Sequence, residues 1–224
     1  MTKNQILSYV LKTPENTNPQ VLMSMLDSLV NSTAQPKDFS SATAAIKEGK
    51  NLIVANDIAA AGEITADGKV NVEVDLNGKK IEATAECSNW LLCAQNGAKM
   101  EIRGNGIISS GKGQNTIPVS AYHDAKIDIY GGTYLCSEGA GECVYAENSI
   151  VRIYGGEYKM AEGEKQTELL NVKNGTSVES IQVYGGTFYG WSPEEGDDAM
   201  KGSFVAPGYK VIEIQPSVFK VVKA

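Results

Sequence analysis

The sequence has little positive charge and no long apolar run, and each shortage excludes a class of partner. Its 20 Lys and Arg residues against 27 Asp and Glu give a net charge of -7, which leaves no cationic excess to neutralise phosphates or an anionic membrane. No segment approaches the roughly 18 apolar residues that span a bilayer. The N-terminal MTKNQILSYVLKTPEN also lacks the apolar run of a secretion signal. We therefore expect no nucleic-acid partner, no membrane partner, and assembly in a cytoplasm.

Cysteine and histidine are too few and too scattered for a metal or redox centre. Cys87, Cys93, Cys136 and Cys143 are separated in pairs by five and six residues, spacings that fit neither a CxxC zinc motif nor a dense disulfide framework. His123 is the only histidine, so a nucleophilic serine or cysteine would depend on that one base. We predict that the cysteines are small buried apolar side chains and that the protein has no metal and no cofactor.

Five similar strand-like segments recur along the chain. Their equivalent apolar positions are 24 to 30 residues apart, and no helix pattern lies between them. A repeat of that length, made only of strand and turn, is typical of one coil of a parallel β-solenoid. The segments are VNVEVDL (70–76), AKMEIRGNG (98–106), AKIDIYGG (125–132), SIVRIYGG (149–156) and ESIQVYGG (179–186), with Val74, Ile102, Ile129, Ile153 and Val183 equivalent.

Corner signals flank these strands. Each segment from residue 98 onward follows another strand and a tight corner, where Asn, Asp and Gly tolerate left-handed backbone. The Gly-Gly pairs after the strands allow a sharp bend and close stacking of neighbouring backbones. The predicted corners are Asn96-Gly97, His123-Asp124, Glu147-Asn148 and Asn174-Gly175, and the predicted interior row beyond the bend is Ile107, Tyr134, Tyr158 and Phe188.

The chain divides into four predicted parts. They are a helical anchor (1–31), a linker (32–39), a parallel β-helix (40–204) and a C-terminal β-hairpin (205–224). Solenoids have open strand edges at both ends, which must be covered. We expect a short helix that starts near Ser40 to cover one end, and the hairpin around Gln215-Pro216-Ser217 to cover the other.

The anchor carries an apolar stripe that needs a partner. Asn18 and Pro19 suit the start of a helix, and a helical pair of about 30 residues is too small to fold alone. We therefore predict that the stripe binds another copy of the chain or a different protein. The stripe consists of Val21, Leu22, Met25, Leu26 and Leu29, with Ile6, Tyr9 and Val10 from the preceding helix.

Two outward-facing rows are candidate sites on the solenoid. The first row is Glu73, Glu101, Asp128, Arg152 and Gln182, and the second is Asp75, Arg103, Tyr130, Tyr154 and Tyr184. Neighbouring carboxylates could serve acid-base catalysis or bind calcium. Alternatively they form a solvated face balanced by Lys99 and Lys126, which we favour. The three tyrosines could bind a glycan or a protein, or could form a ladder that packs ring on ring, which we also favour.

Several segments resemble known protein families. DLNGKKIEA (75–83), IYGGTY (129–134) and the SSATAAIKEG and LIVANDI segments (40–49 and 52–58) resemble pectin-lyase-like right-handed β-helices, which occur in polysaccharide lyases and in phage fibres and tailspikes. ILSYVLKTPENTNPQVLMSMLDSLV (6–30) is similar to the N-terminal segment of head fibre or decoration proteins of tailed phages. GYKVIEIQPSVFKVV (208–222) is similar to a terminal hairpin of phage proteins.

The resemblance implies a mainly β, right-handed parallel β-helix and a structural role. We expect a non-enzymatic protein on the virion surface, assembled in the bacterial host cytoplasm. Its N-terminal helices would bind the capsid or another virion protein, and the resemblance implies a homo-oligomer, most simply a trimer. Two alternatives remain: a tail-associated fibre that binds cell-surface glycans through Tyr130, Tyr154 and Tyr184, and a polysaccharide-degrading enzyme.

Overall fold

A computed structural model of the chain describes residues 19–196 and 202–224, which form a mainly β, parallel solenoid of about five coils. Each coil passes through three sheets in turn, whose strands pair in parallel except for the C-terminal hairpin in sheet B. Sheet A contains β1 (Thr33–Ala34), β2 (Asn51–Ile53), β5 (Asn71–Asp75), β8 (Lys99–Arg103), β11 (Lys126–Ile129), β14 (Ile150–Ile153) and β17 (Ile181–Val183). Sheet B contains β3 (Ile58–Ala60), β6 (Lys80–Ala83), β9 (Ile107–Ser109), β12 (Thr133–Cys136), β15 (Glu157–Met160), β18 (Thr187–Tyr189), β19 (Tyr209–Gln215) and β20 (Val218–Lys223). Sheet C contains β4 (Ile64–Asp67), β7 (Trp90–Gln95), β10 (Ile117–Tyr122), β13 (Val144–Glu147) and β16 (Leu170–Val172).

The strand register confirms the repeat alignment. In sheet A, Ile102 pairs with Val74 on one side and Ile129 on the other, and the same row continues to Ile153 and Val183. All five side chains are buried. Because side chains alternate between the two faces of a strand, the same register places both predicted outer rows on the outside of sheet A.

The interior aromatic row is confirmed, with one correction. Tyr134, Tyr158 and Phe188 are fully buried and stack with ring centroids 4.9 and 4.8 Å apart. The residue before Tyr134 in this row is Ile108, not Ile107, which instead pairs with Thr133 on the other face. The prediction was wrong because Ile102 and Ile108 are six residues apart, whereas their partners Ile129 and Tyr134 are five apart, so the alternation resumes one residue later.

The two glycines of each Gly-Gly corner have different functions. Gly132 and Gly156 have φ of +97° and +105°, in the region that favours glycine. A Cβ atom on Gly131 or Gly155 would instead lie 2.8 or 2.7 Å from a carbonyl oxygen of the preceding coil. The first glycine therefore allows close stacking, and the second allows the bend.

Both ends of the solenoid are covered. Helix α2 (Phe39–Lys47) is capped at its N-terminus by Asp38, whose Oδ1 accepts a hydrogen bond of 2.8 Å from the Ser41 backbone N–H. The helix buries Ala42, Ala45 and Ile46 against the first coil. At the other end, β19 and β20 form the predicted antiparallel hairpin, and β20 pairs with β18. The predicted end covers are thus confirmed as part of the fold.

Helix α1 (Pro19–Asn31) precedes the solenoid and buries none of its residues. The chain then enters sheet A directly: Thr33 and Ala34 pair with Asn51 and Leu52 as strand β1. The segment predicted as a linker (32–39) therefore includes a strand of the solenoid. Strand β1 has only two residues. So short a segment cannot show the alternation of apolar and polar residues that predicts a strand.

Candidate functional site

Helix α1 presents a broad apolar surface to solvent. At 3.6 residues per turn its seven apolar side chains after Pro19 cover about 200° of the helix circumference. The most exposed are Val30 (71%), Met23 (58%), Val21 (39%) and Leu26 (39%), while Leu22, Met25 and Leu29 are half-buried. The predicted stripe included Val21, Leu22, Met25, Leu26 and Leu29 but omitted Met23 and Val30. Ile6, Tyr9 and Val10 lie outside the described residues.

The C-terminal end of α1 is fixed to the first coil. The Ser32 backbone N–H donates to the Ser28 carbonyl (2.9 Å), and the Asn51 N–H donates to the Ser32 carbonyl (2.7 Å). A groove of about 300 Å³ separates Leu29 and Val30 from the edge of sheet A. Helix α1 is therefore joined to the solenoid at the C-terminal end of the helix, and the described residues leave much of its apolar surface exposed.

The tyrosine row forms a continuous ring stack. Tyr130 lies 4.9 Å from Tyr154, and Tyr154 lies 5.1 Å from Tyr184, with near-parallel rings. The Arg103 guanidinium lies 4.0 Å from the Tyr130 centroid, and Tyr209 meets Tyr184 edge-on at 5.3 Å. Successive rings occupy each other's faces, so the row presents ring edges to solvent. A sugar that stacks on an aromatic face would find none free between Arg103 and Tyr209.

The carboxylate row on sheet A is paired with cations. Asp128 accepts from Lys126 (2.8 Å), and Glu101 accepts from Arg103 (2.5 Å), which also lies 3.7 Å from Glu73. Asp128 is only 8% exposed, so the expected solvated face does not extend to this position. Two of these pairs lie within one strand, and only the Arg103–Glu73 pair joins neighbouring strands, where opposite charges stabilise a sheet.

An acidic cleft lies on the opposite side of the last coils. It has a volume of about 690 Å³ and is lined by Glu142, Gln166, Glu168, Asn171 and Trp191, among others. Asn171 projects outward from β16, Glu142 ends the corner before β13, and Trp191 follows β18. Carboxylates, side-chain amides and an aromatic ring are groups that bind hydroxyl-rich or cationic ligands.

Glu142 is a buried carboxyl in this cleft. It is 8% exposed, and burial raises its pKa to about 7, against the opposing effect of a hydrogen bond with Asn171. Near neutral pH this side chain therefore changes between hydrogen-bond donor and acceptor. The sequence carries no signal for this cleft, because most of its residues come from three separate corners, whose lengths vary from coil to coil.

A second aromatic row on sheet C was also missed. Tyr122 lies 4.7 Å from Trp90 and 5.6 Å from Tyr145, with tilted rings. Cys93 and Ser120 face outward from the same sheet yet are fully buried. The aromatic side chains therefore shield this face from water, a packing function that the outward parity of Tyr122 and Tyr145 could have indicated.

The remaining predicted groups have structural positions. His123 lies exposed at a corner with φ of +49°, as predicted for a turn residue. All four cysteines are buried and unbridged, which confirms the prediction of small buried side chains. In residues 19–196 and 202–224, no group of three or more His, Cys, Asp or Glu side chains is placed to hold a metal ion. No helix in those ranges is long and apolar enough to cross a membrane.

The fold and its surfaces define the class of this protein as a parallel β-solenoid, preceded by an apolar helix of which no residue is buried. Comparisons with protein-family models, curated proteins and solved structures find no match. Function must therefore be argued from the surfaces themselves.

Proposed function

We propose that the chain is a non-enzymatic structural protein of a tailed-phage virion, either a head fibre or a capsid decoration protein. Its N-terminal helical segment binds a capsid protein, and the solenoid projects outward. The observation that carries the proposal is the contrast between α1, which buries none of its residues, and a solenoid whose ends are both covered. An apolar helix beside a complete fold is available for attachment.

Burial of the α1 surface supplies the binding free energy. Apolar area removed from water contributes about 25 cal/mol per Å², from which the costs of association and ordering are subtracted. One short helix therefore binds weakly, and repetition over a symmetric shell raises the overall affinity. An apolar surface of about 200° also exceeds what one flat contact covers, which supports a homo-oligomer, most simply a trimer, in which each helix also contacts its copies.

The outer rows give less support to catalysis. Glu101 and Asp128 each have a basic partner within 2.8 Å. Hydrolysis of a glycosidic bond uses two carboxyl groups that face the scissile bond, and here both candidate carboxylates are already bound by a cation of their own strand. A polysaccharide-degrading activity therefore ranks below attachment, and turnover of acidic polysaccharides that is lost in Glu101→Gln or Asp128→Asn would reverse that order.

The attachment proposal is tested on particles. Full-length protein, a Met23→Ser/Leu26→Ser/Val30→Ser variant and a matched Ser24→Ala/Ser28→Ala variant on the polar side of α1 are each supplied during particle assembly. The particles are then banded on a density gradient, and their content of the protein is measured. We expect the native chain and the control to remain with the particles and the triple variant to be lost. Retention of the triple variant, or absence of the native chain from particles, would contradict the proposal.

A glycan-binding fibre is the second candidate, and the acidic cleft favours it. Glu142, Gln166 and Asn171 supply hydrogen-bonding groups around about 690 Å³ beside Trp191. The chain has only two tryptophans, Trp90 and Trp191, so a Trp90→Phe variant reports on the cleft by fluorescence.

A glycan array separates the two possible glycan sites. Binding that is lost in Asn171→Ala but kept in Tyr130→Ala/Tyr154→Ala/Tyr184→Ala would place the ligand in the cleft, and the opposite pattern would place it on the tyrosine row. An array on which the native chain binds no glycan would contradict this second candidate.

A further inference from the structure

Cys136 and Cys143 are the two thiols that the fold brings together. Their Sγ atoms lie 2.7 Å apart, and both side chains are fully buried. The covalent S–S bond length is about 2.05 Å, so bond formation requires the sulfurs to approach by only about 0.7 Å. Cys87 and Cys93 are also buried, but Cys87 Sγ instead lies 3.5 Å from the Trp90 carbonyl oxygen. One cysteine pair out of four thiols is therefore in position to react.

The neighbouring strands hold the pair in place. Cys136 ends β12, where it pairs with Met160 of the next coil. The Cys143 backbone N–H donates to the Leu169 carbonyl oxygen (3.0 Å) just before β13. The corner Ser137–Glu142 lies between the two cysteines, and within it the Ala140 backbone N–H donates a hydrogen bond of 3.1 Å to the Ser137 carbonyl oxygen. Because both flanking strands belong to the solenoid, the sulfurs stay in contact without ordering any further chain, which raises their effective concentration.

The cysteine pair is surrounded by buried side chains and backbone carbonyl groups. Met160 Sδ lies 3.5 Å from Cys136 Sγ, and the Tyr134 carbonyl oxygen lies 3.5 Å from Cys143 Sγ. Burial raises the pKa of the Cys143 thiol well above its usual range. The reactive thiolate is therefore scarce in the closed fold, so exchange proceeds while the corner opens or before folding is complete. Once formed, a bond at this depth is also protected from small reducing thiols.

We propose that Cys136 and Cys143 form an intramolecular disulfide that locks the 137–142 corner when the protein leaves a reducing compartment. The oxidant is a small-molecule disulfide such as oxidised glutathione. One cysteine thiolate attacks it, forms a mixed disulfide and releases one glutathione thiolate. The second cysteine thiolate then attacks the protein sulfur and releases the other. In balance, two protein thiols and one oxidised glutathione give one protein disulfide and two reduced glutathiones.

The test is equilibration of the full chain with glutathione buffers during refolding, since the native pair is buried. After acid quenching and alkylation of the remaining thiols, intact mass and peptide mapping identify any bond. We expect a mass loss of about 2 Da before alkylation, a single Cys136–Cys143 link, and free thiols at Cys87 and Cys93. Four free thiols in oxidising buffer, or any other pairing, would overturn the proposal.

Matched variants and a stability measurement complete the test. The Cys87→Ser/Cys93→Ser protein keeps the link, and Cys136→Ser loses it. The oxidised native chain melts at a higher temperature than the reduced chain, by on the order of 5 °C, because the bond restricts the unfolded state. A lower melting temperature in the oxidised form would show that the folded corner does not accommodate the bond, and would also overturn the proposal. None of these outcomes depends on where the protein resides, so they leave the proposed attachment function untouched.

Discussion

None of the thirteen residues of α1 is buried, whereas each complete coil of the solenoid buries apolar side chains from all three of its strands. Met23 and Val30 of α1 are as apolar as Val151 and Ile153 of β14. The difference lies in what surrounds them: a coil is covered by the coils before and after it, and α1 extends beyond the first coil.

That contrast separates two uses of apolar side chains. In the coils they stabilise the chain itself, so their removal should change the free energy of unfolding. In α1 none of them is buried, so their removal should change association more than the free energy of unfolding. Four predictions test this division, beginning with the largest expected effect on stability.

Replacement of the central interior ring should have the largest effect. Tyr158 is fully buried between Tyr134 and Phe188, and its hydroxyl donates to the Gly155 carbonyl oxygen at 3.0 Å. Tyr158→Ala should lower the free energy of unfolding by about 3 to 5 kcal/mol through lost burial and a cavity. Tyr154→Ala, in the outer stack at the same spacing, should cost only about 1 kcal/mol. Urea unfolding measures both, and equal losses would contradict the distinction between interior and exterior stacks.

Much of this interior could be predicted from the sequence, because strand alternation recurs in every coil. The row of equivalent apolar residues in sheet A, from Val74 to Val183, was aligned correctly, and so was the interior row of Tyr134, Tyr158 and Phe188. Ile107 was not, since one extra residue between Ile102 and Ile108 shifts the alternation, and a period of two gives no warning of the shift. Strand β1 was missed for a related reason: two residues are too few to show any period.

The buried carboxyl of the acidic cleft should make stability depend on pH. Burial raises the pKa of Glu142 from about 4.5 in the unfolded chain to about 7. Between these two values the folded state holds a proton that the unfolded state has lost. The stabilisation that comes from this proton is therefore complete below pH 4.5 and disappears as the pH rises to about 7. By linkage it amounts to at most about 3 kcal/mol.

Glu142→Gln should remove this dependence, because glutamine resembles the protonated carboxyl in shape. We expect the variant to be more stable than the native chain at pH 8 and similar to it at pH 4.5, as measured by urea unfolding across that range. Glu162→Gln, at an exposed position in a nearby corner, controls for the change in net charge. If the free energy of unfolding of Glu142→Gln depended on pH in the same way as that of the native chain, Glu142 would not be the source of the pH dependence.

A substitution at a tightly stacked Gly-Gly corner should lower the free energy of unfolding by a smaller amount. A Cβ atom on Gly155 would lie 2.7 Å from the Tyr130 carbonyl oxygen, although Gly155 lacks the positive φ of its neighbour. Gly155→Ala should therefore cost about 2 kcal/mol through overpacking. Gly175→Ala provides the comparison, because Gly175 has φ of +88° and open space around it, so only backbone strain of about 1 kcal/mol is expected. A stabilised Gly155→Ala protein would show that the coils can separate at this corner.

The candidate sites could be predicted less completely than the fold. The tyrosine row followed from alternation, but its ring-on-ring packing required the spacing between coils. Met23 and Val30 lay outside the expected stripe, because an i, i+4 pattern selects one narrow face and α1 is apolar over a wider arc. The cleft around Glu142 had no sequence signal, since its residues meet only through corners of unequal length.

Substitutions on α1 should have the smallest effect on unfolding and the largest effect on association. Val30 is 71% exposed and Met23 58%, so Val30→Ser and Met23→Ser should each change the free energy of unfolding of the solenoid by less than about 0.5 kcal/mol. Ile153→Ser, a buried apolar position in β14, is the matched change that should be strongly destabilising. Urea unfolding and gradient sedimentation with particles are measured on the same preparations. A large loss of stability in Val30→Ser would mean that α1 is packed within its own chain, and the helix would then no longer be available for attachment.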